Sequence, residues 1–415
     1  MKRQYIFLSL LFYLQSAYVH GQKDCTRTSI GQVPLNDLGM GTYQSYQGGL
    51  YPGGSNVIPA PHKAGGLVAA AQIRALNQSG NVDLANGKIG LISIGPSFAT
   101  MEFSAFQFIV AQDPTVNPKL VLVDGAQSGM SAEQFADTTD NVWNVIAQRL
   151  SAANVTWQQV QVAWVKSVNT IHNAGFPADQ TELADDLAQI ARNLKVKFPN
   201  FKLAYFSSRS YGGYGNNEPY PYETGFAVKW LIEQQINGDT TLAFTGANAQ
   251  APWMAWGPYL WADGTTPRQD SLFWECDDYQ NDGVHPSLSG RMKVARMLLT
   301  FFKTEPTASS WFLRNPSTAV EAIQHFSPSG FTLEQNYPNP FNPSTVISFH
   351  LPVSSYVTLK VFDVTGREVA RLVEGEMNAG EHEITFKATN LPSGIYFVKF
   401  SSGGFTQTRK AALLR

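Results

Sequence analysis

The chemistry open to this chain is narrowed first by its histidines, of which there are seven. His285 lies in the run Asn281-Asp282-Gly283-Val284-His285-Pro286-Ser287. Asp282 stands three residues before it on a Gly-containing turn, and Pro286 suits the first position of a following helix. A carboxylate at that separation can reach the imidazole and fix its tautomer, which is the acid–base half of a nucleophile system. The plainer reading is an exposed turn with an incidental Asp and His. A matching nucleophile stands in Ile-Ser-Ile-Gly-Pro-Ser-Phe-Ala-Thr-Met-Glu-Phe, residues 92–103, where an apolar run ends on Gly95, Pro96 and Ser97. There a kink is followed at once by a hydroxyl, either a serine presented at the end of a buried strand or an ordinary turn. His20 falls in the N-terminal segment, and His325, His350 and His382 fall in the last quarter of the chain. His62 and His172 remain beside His285, scattered and without close cysteine or acidic spacing, so no metal site is expected. No organic cofactor is called for either.

The elements that must position these residues are legible as an alternation. Residues 88–94, 120–124, 160–165 and 201–206 are short β-rich runs, and helical patterns cover 132–150, 181–197, 224–235 and 289–302. Alternation of this kind predicts a parallel sheet covered by helices, with ligands beyond the carboxyl ends of the strands. Ser97 lies just past the first run. After the second run, Asp124-Gly125-Ala126-Gln127-Ser128-Gly129-Met130 is a loop in which Gly129 can present a backbone N–H to an oxyanion, or merely permit a turn.

The ends of the chain have other tasks. Lys2 and Arg3 precede an apolar run over residues 5–14, and Val19-His20-Gly21 supplies a cleavage site before Gln22. This layout predicts a secretory signal peptide over residues 1–21. The run is short for a membrane span and no other segment approaches the required length, so no integral membrane segment is expected in the mature protein. Cys25 and Cys276 are the two cysteines, and in an exported chain they either form a disulfide or remain free thiols. With 30 Lys and Arg against 32 Asp and Glu, the net charge of −2 provides no field that would draw the chain to nucleic acid. At 415 residues the chain exceeds one small core, and its character changes near residue 304. The expected division is a catalytic domain over 22–303, a Pro-interrupted linker over 304–329 and a final domain over 330–415. In that last part, alternating runs over 346–351, 356–362, 368–372, 380–386 and 394–400 predict an all-β sandwich.

Its motifs are specific. Asn336-Tyr337-Pro338-Asn339-Pro340-Phe341-Asn342-Pro343-Ser344-Thr345, then Val361-Phe362-Asp363-Val364-Thr365-Gly366-Arg367, Leu391-Pro392-Ser393-Gly394-Ile395-Tyr396-Phe397 and the closing Lys410-Ala411-Ala412-Leu413-Leu414-Arg415 follow in order. This tail resembles the C-terminal sorting domain of proteins exported by the type IX secretion system. The resemblance implies an Ig-like fold, passage through the periplasm, and recognition by the type IX secretion machinery that leaves the protein secreted or on the cell surface. A module that binds carbohydrate or spaces a domain is the other reading.

Over residues 88–303, Ser97 at the first strand's end and Asp282-x-x-His285 before the last helix stand in the order of the SGNH hydrolases, or GDSL-type esterases, which the domain resembles. Gly95-Pro96-Ser97 departs from Gly-Asp-Ser at its middle position. The resemblance implies an αβα sandwich in which Ser97, Asp282 and His285 form a catalytic triad. It also implies an oxyanion hole made by the Ser97 N–H, Gly129 and Asn169, the last without the Gly and Asp that flank the family's asparagine. The implied activity is ester hydrolysis, with an acetyl or similar ester on a glycan as the expected substrate. Tyr211, Tyr214, Tyr220, Tyr222, Trp253, Trp256 and Trp261 either offer faces to sugars or pack their loops. A catalytically inactive carbohydrate-binding or adhesive surface protein on the same fold is the alternative.

Overall fold

The structure is a computed structural model describing residues 22–314, 332–333, 335–336, 338–351, 354–402 and 405–414. The expected signal peptide and most of the expected linker lie outside these residues. The chain divides into two compact units, Met1–Ser317 and Thr318–Arg415.

Five strands build the sheet of the first unit: β1 Ile89–Ile94, β2 Leu120–Asp124, β3 Val160–Val165, β4 Leu203–Phe206 and β5 Trp253–Trp256. Every residue of β1, β3, β4 and β5 is buried, the continuous apolar pattern of strands covered on both faces. All pairings are parallel, in the order β2-β1-β3-β4-β5. The helices of five residues or more are α1 Ala60–Ala70, α2 Ser97–Val110, α3 Ala132–Ala136, α4 Val142–Ala152, α5 Ala178–Lys197, α6 Tyr220–Ile236, α7 Leu288–Thr304 and α8 Pro306–Phe312. From β1 the chain steps outward to β2, then returns across β1 to β3 and continues to β5. That reversal puts a topological switch point between the carboxyl ends of β1 and β3, with α2, α7 and α8 packed together on one face and α3, α5 and α6 together on the other. Packing follows suit, with α7 against α2 and α8, and α6 against α5.

Several expectations need correction. The helix expected over 132–150 is two helices, because the Asp137 and Asp140 carboxylates take the N–H groups of Thr139 (2.8 Å) and Val142 (2.9 Å) in place of helical carbonyls. The linker does not begin at residue 304. Pro306 opens α8 instead of interrupting a pattern, with Glu305 accepting from the Thr307 N–H. Trp311 and Phe312 then bury themselves in the first core, where Phe312 stacks on Phe302 (5.3 Å between centroids) and Phe106 (6.3 Å). Strand β5 and helix α2 are additions to the elements legible in the sequence.

The second unit is antiparallel and all β: β6 Thr332–Leu333, β7 Ser344–Leu351, β8 Ser355–Asp363, β9 Glu368–Met377, β10 Gly380–Lys387, β11 Gly394–Ser402 and β12 Phe405–Leu413. They form sheets of order β9-β8-β11-β12 and β10-β7-β6. Burial in β7 alternates strictly, and Ile347, Phe349 and Leu351 meet Val357, Leu359, Val361 and Phe400 in one core. Strand β12 was not expected, since its Thr-Gln-Thr-Arg-Lys stretch hides the alternation, yet it pairs with all of β11.

Candidate active site

Ser97 is presented by a turn that only glycine can make at its first position. Gly95 has φ +148°, and a Cβ there would stand 1.9 Å from the Lys166 carbonyl oxygen. Its own carbonyl accepts the Gln127 N–H at 2.8 Å, so the turn is clamped by the loops after both neighbouring strands. Pro96 sits at the N-cap and Ser97 is the first helical residue of α2. The Ser97 N–H therefore lies among the unsatisfied donors of a helix N-terminus, whose dipole favours negative charge.

The imidazole arrives from the far end of the unit. His285 Nε2 lies 2.7 Å from Ser97 Oγ, and His285 Nδ1 lies 2.6 Å from Asp282 Oδ2. Asp282 Oδ1 accepts the backbone N–H groups of Val284 and His285, both at 2.9 Å. Partial burial works against the Asp282 charge, but these two N–H groups and the imidazole hold its carboxyl below the usual carboxylate range. An ionised carboxylate can only accept, so Nδ1 carries the ring proton and Nε2 is left to accept from the serine hydroxyl.

This loop is held from outside by the start of the described chain. Cys25 is bonded to Cys276 with their Cα atoms 5.4 Å apart. The Lys23 N–H donates to the Asn281 carbonyl at 2.6 Å, and Lys23 Nζ reaches the Cys276 and Tyr279 carbonyls, both at 3.0 Å. On the inner side Gly283, at φ +66°, packs so closely on Tyr214 and Gly215 that a Cβ would come within 2.5 Å of their backbone.

Gly129 and Asn169 follow β2 and β3, the strands flanking β1, and so share its carboxyl edge. Gly129 is exposed at φ +77° and its N–H enters no hydrogen bond among the described residues. Asn169 is buried. Its N–H donates to the Tyr220 hydroxyl at 3.1 Å and its Nδ2 donates to Asp186 Oδ2 at 2.8 Å, which leaves a second amide hydrogen uncommitted.

Four residues around this edge escaped sequence reasoning. Asp186 on α5 orients Asn169, and its only sequence signal is a polar residue on a largely buried helix. Glu102, on the buried face of α2, pairs with Lys166 at the end of β3 (2.7 and 2.8 Å), with both side chains 1% exposed. Burial pushes the Glu102 carboxyl up and brings the Lys166 amine down to about 8. Such a pair resists separation, since removing one partner typically costs about 3–5 kcal/mol. Arg209, just beyond β4, is buried with its Cζ 4.1 Å from the centre of the ring of Phe98, the residue after Ser97.

The aromatic residues that could have served sugars mostly pack the interior. Trp253, Trp256, Trp261, Tyr211, Tyr214 and Tyr222 are buried, and each directs its N–H or O–H to a protein acceptor. Tyr220 alone among them is partly exposed, with the exposed His172 ring 3.9 Å away. Among the described residues no group of three or more His, Cys, Asp or Glu is placed to hold a metal, and no helix is long and apolar enough to cross a membrane.

No curated protein matches the chain. Similar solved structures include PorZ, a surface component of the type IX secretion system of Porphyromonas gingivalis, at 21% identity over 24% of this chain and 13% of that one (TM-score 0.16). The periplasmic domain of a lipopolysaccharide acetyltransferase from Salmonella ser. Paratyphi A is 14% identical over 37% of this chain and 58% of that one (TM-score 0.22). A Cellulomonas fimi endo-beta-1,4-mannanase double mutant is 13% identical over 76% of this chain and 58% of that one (TM-score 0.20). The chain thus spans under two thirds of the length of each of these three. Residues 335–413 match the family model described as a secretion system C-terminal sorting domain. With that tail in place, the chain is an exported protein, addressed by the type IX secretion system to the cell surface or the medium.

Proposed function

We propose that the first unit is a serine esterase of the SGNH hydrolase kind, acting on an acyl ester carried by a glycan. The observation that carries this reading is the continuous hydrogen-bonded series from Ser97 Oγ through His285 to Asp282. Ser97 Oγ attacks the ester carbonyl carbon while His285 Nε2 takes its proton. Collapse of the tetrahedral intermediate breaks the bond to the alcohol, which leaves with the proton from Nε2. Water then attacks the acyl-serine, gives its proton to Nε2, and Ser97 Oγ departs and recovers it. The negative oxygen is held by the Ser97 N–H, the Gly129 N–H and the free Asn169 amide hydrogen, each worth about 3–4 kcal/mol of barrier. The partly exposed His285 and Asp282 side chains, at 24% and 18%, suit a group displayed on a polymer. Pro96 was the motive for an inactive binding or adhesive protein. It is the N-cap residue directly before Ser97 and contributes no atom to the hydrogen-bonded series, which weighs against that alternative.

A fluorophosphonate probe tests the reading on the purified protein, with adduct at Ser97 expected by peptide mass spectrometry and an unlabelled Ser97 overturning it. Asp186 provides a finer check as a positioning residue. Asp186→Ala should lower kcat on p-nitrophenyl acetate about 10- to 100-fold with little change in KM, because one oxyanion donor loses its orientation. Asp186→Asn, which still offers an oxygen to Asn169 Nδ2, should recover most of the rate. The address is separable from the chemistry: deleting residues 335–415 should leave ester hydrolysis intact and stop export. Equal export of the shortened chain would remove the sorting assignment from this tail.

A further inference from the structure

Four cationic side chains are buried among the described residues: Lys166, Arg209, Lys229 and Arg268. Three have a carboxylate within salt-bridge distance, namely Glu102, Glu233 and Asp270. Arg209 has none, and its guanidinium makes no hydrogen bond to any described residue, although the residue is only 8% exposed and its Nε is fully enclosed. Buried charges are normally paired, because the cost of leaving water is otherwise not recovered. The nearest carboxylates are engaged elsewhere. Glu102 is held by Lys166, and Glu218 accepts from Trp261 Nε1, the Gly212 N–H and the Tyr222 N–H. Beyond the last residue of β3, the strand beside β4, the enclosed Ser167 Oγ and Asn169 Oδ1 also lack partners among the described residues. The guanidinium lies over Phe98, the residue after the proposed nucleophile.

We propose that Arg209 is the receptor for a carboxylate on the substrate, so that the ester cleaved at Ser97 is carried by an acidic, uronate-type glycan. This rests on the esterase reading for the position of the scissile bond. The planar fork of a guanidinium matches a carboxylate through two parallel N–H donors, and its packing on an aromatic ring pre-orients it. Ser167, whose hydroxyl has no partner among the described residues, can bond the same sugar. The carboxylate completes the missing ion pair and fixes the acylated ring over Ser97.

The test separates binding from hydrolysis. Ser97→Ala protein is titrated calorimetrically with oligogalacturonate and with neutral xylo-oligosaccharide. Preferential binding of the acidic oligomer is expected, weakened about 10- to 100-fold by an added Arg209→Gln and less by Arg209→Lys. Equal binding of both oligomers, or binding indifferent to both substitutions in variants with native circular dichroism, overturns the proposal. In the protein with Ser97 intact, Arg209→Gln should reduce kcat/KM on acetylated polygalacturonate at least about tenfold more than on p-nitrophenyl acetate. Equal losses on the two would make Arg209 an oxyanion stabiliser and overturn its role as a receptor. If acidic oligomer binds through Arg209 while no ester is cleaved, the esterase reading fails and the carboxylate site stands.

Discussion

Ser97→Ala and His285→Ala should each lower kcat for ester hydrolysis by about 10⁴- to 10⁶-fold while the protein stays folded. Both side chains are partly exposed at the sheet's edge, and neither belongs to the packed core, so their loss opens no buried cavity. The serine variant lacks the attacking oxygen; the histidine variant leaves that oxygen protonated and the leaving alcohol without a donor. Because the two act as one unit, the double variant should be little slower than either single one. Asp282→Asn should cost about 10⁴-fold, since an amide can stabilise the wrong tautomer of His285. The Asp282 carboxyl is held below its usual range, so any stability linked to it is present above the unfolded value of about 4 and is lost as pH falls through the lower folded value. Activity that declines in mild acid should therefore not be traced to Asp282. Substantial turnover by Ser97→Ala would end the nucleophile assignment.

Breaking the Cys25–Cys276 bond should act on both stability and rate. The bond closes a sequence separation of 251 residues. By loop-closure entropy that corresponds to about 5 kcal/mol, although measured gains are often smaller. In Cys276→Ser the thermal midpoint should fall by about 5–10 °C. The local effect is the more informative one. Lys23 and Cys25 together tie the chain's start to Cys276, Tyr279 and Asn281, the stretch that leads into Asp282. Without the bond, Lys23 must hold this stretch by its hydrogen bonds and its exposed ion pair with Asp277, and the 2.7 Å approach of His285 to Ser97 should be occupied less often. A lower kcat well beneath the unfolding temperature, alongside the lowered midpoint, is the expected result. A lowered midpoint with unchanged kcat would make the tether structural only.

Legibility tracked how local each requirement is. The strands over 88–94, 160–165 and 201–206 could be read because burial on both faces writes a mostly apolar run, and the edge strand over 120–124 because its Leu-Val-Leu-Val is apolar too. Trp253–Trp256 resembled a loop because its residues sit among prolines and glycines, and only pairing with β4 makes a strand of them. Pro306 looked like a breaker, since nothing local distinguishes the first residue of a helix from a linker proline. Trp253, Trp256 and Trp261 suggested ligand surfaces for the same reason: an aromatic side chain carries no mark of the side on which the core will lie.

For the site, the residue types and their order were enough to single out Ser97, the Asp282-x-x-His285 turn and the tail's address, because each rests on a short contiguous stretch of chain. Asp282 reaches His285 across one turn, and the tail's motifs are carried by neighbouring residues. What only the tertiary structure decided is everything that needs two distant segments to meet. The meeting of His285 with Ser97 spans 188 positions, Asn169 is held by Asp186 from a helix on one face of the sheet, and Lys23 and Cys25 tie down the stretch from Cys276 to Asn281 although 251 positions separate the two cysteines. Arg209 shows the difference most plainly. An arginine in sequence is a charge with no address, and only the packing around Phe98 reveals that it is buried beside the proposed nucleophile without a partner.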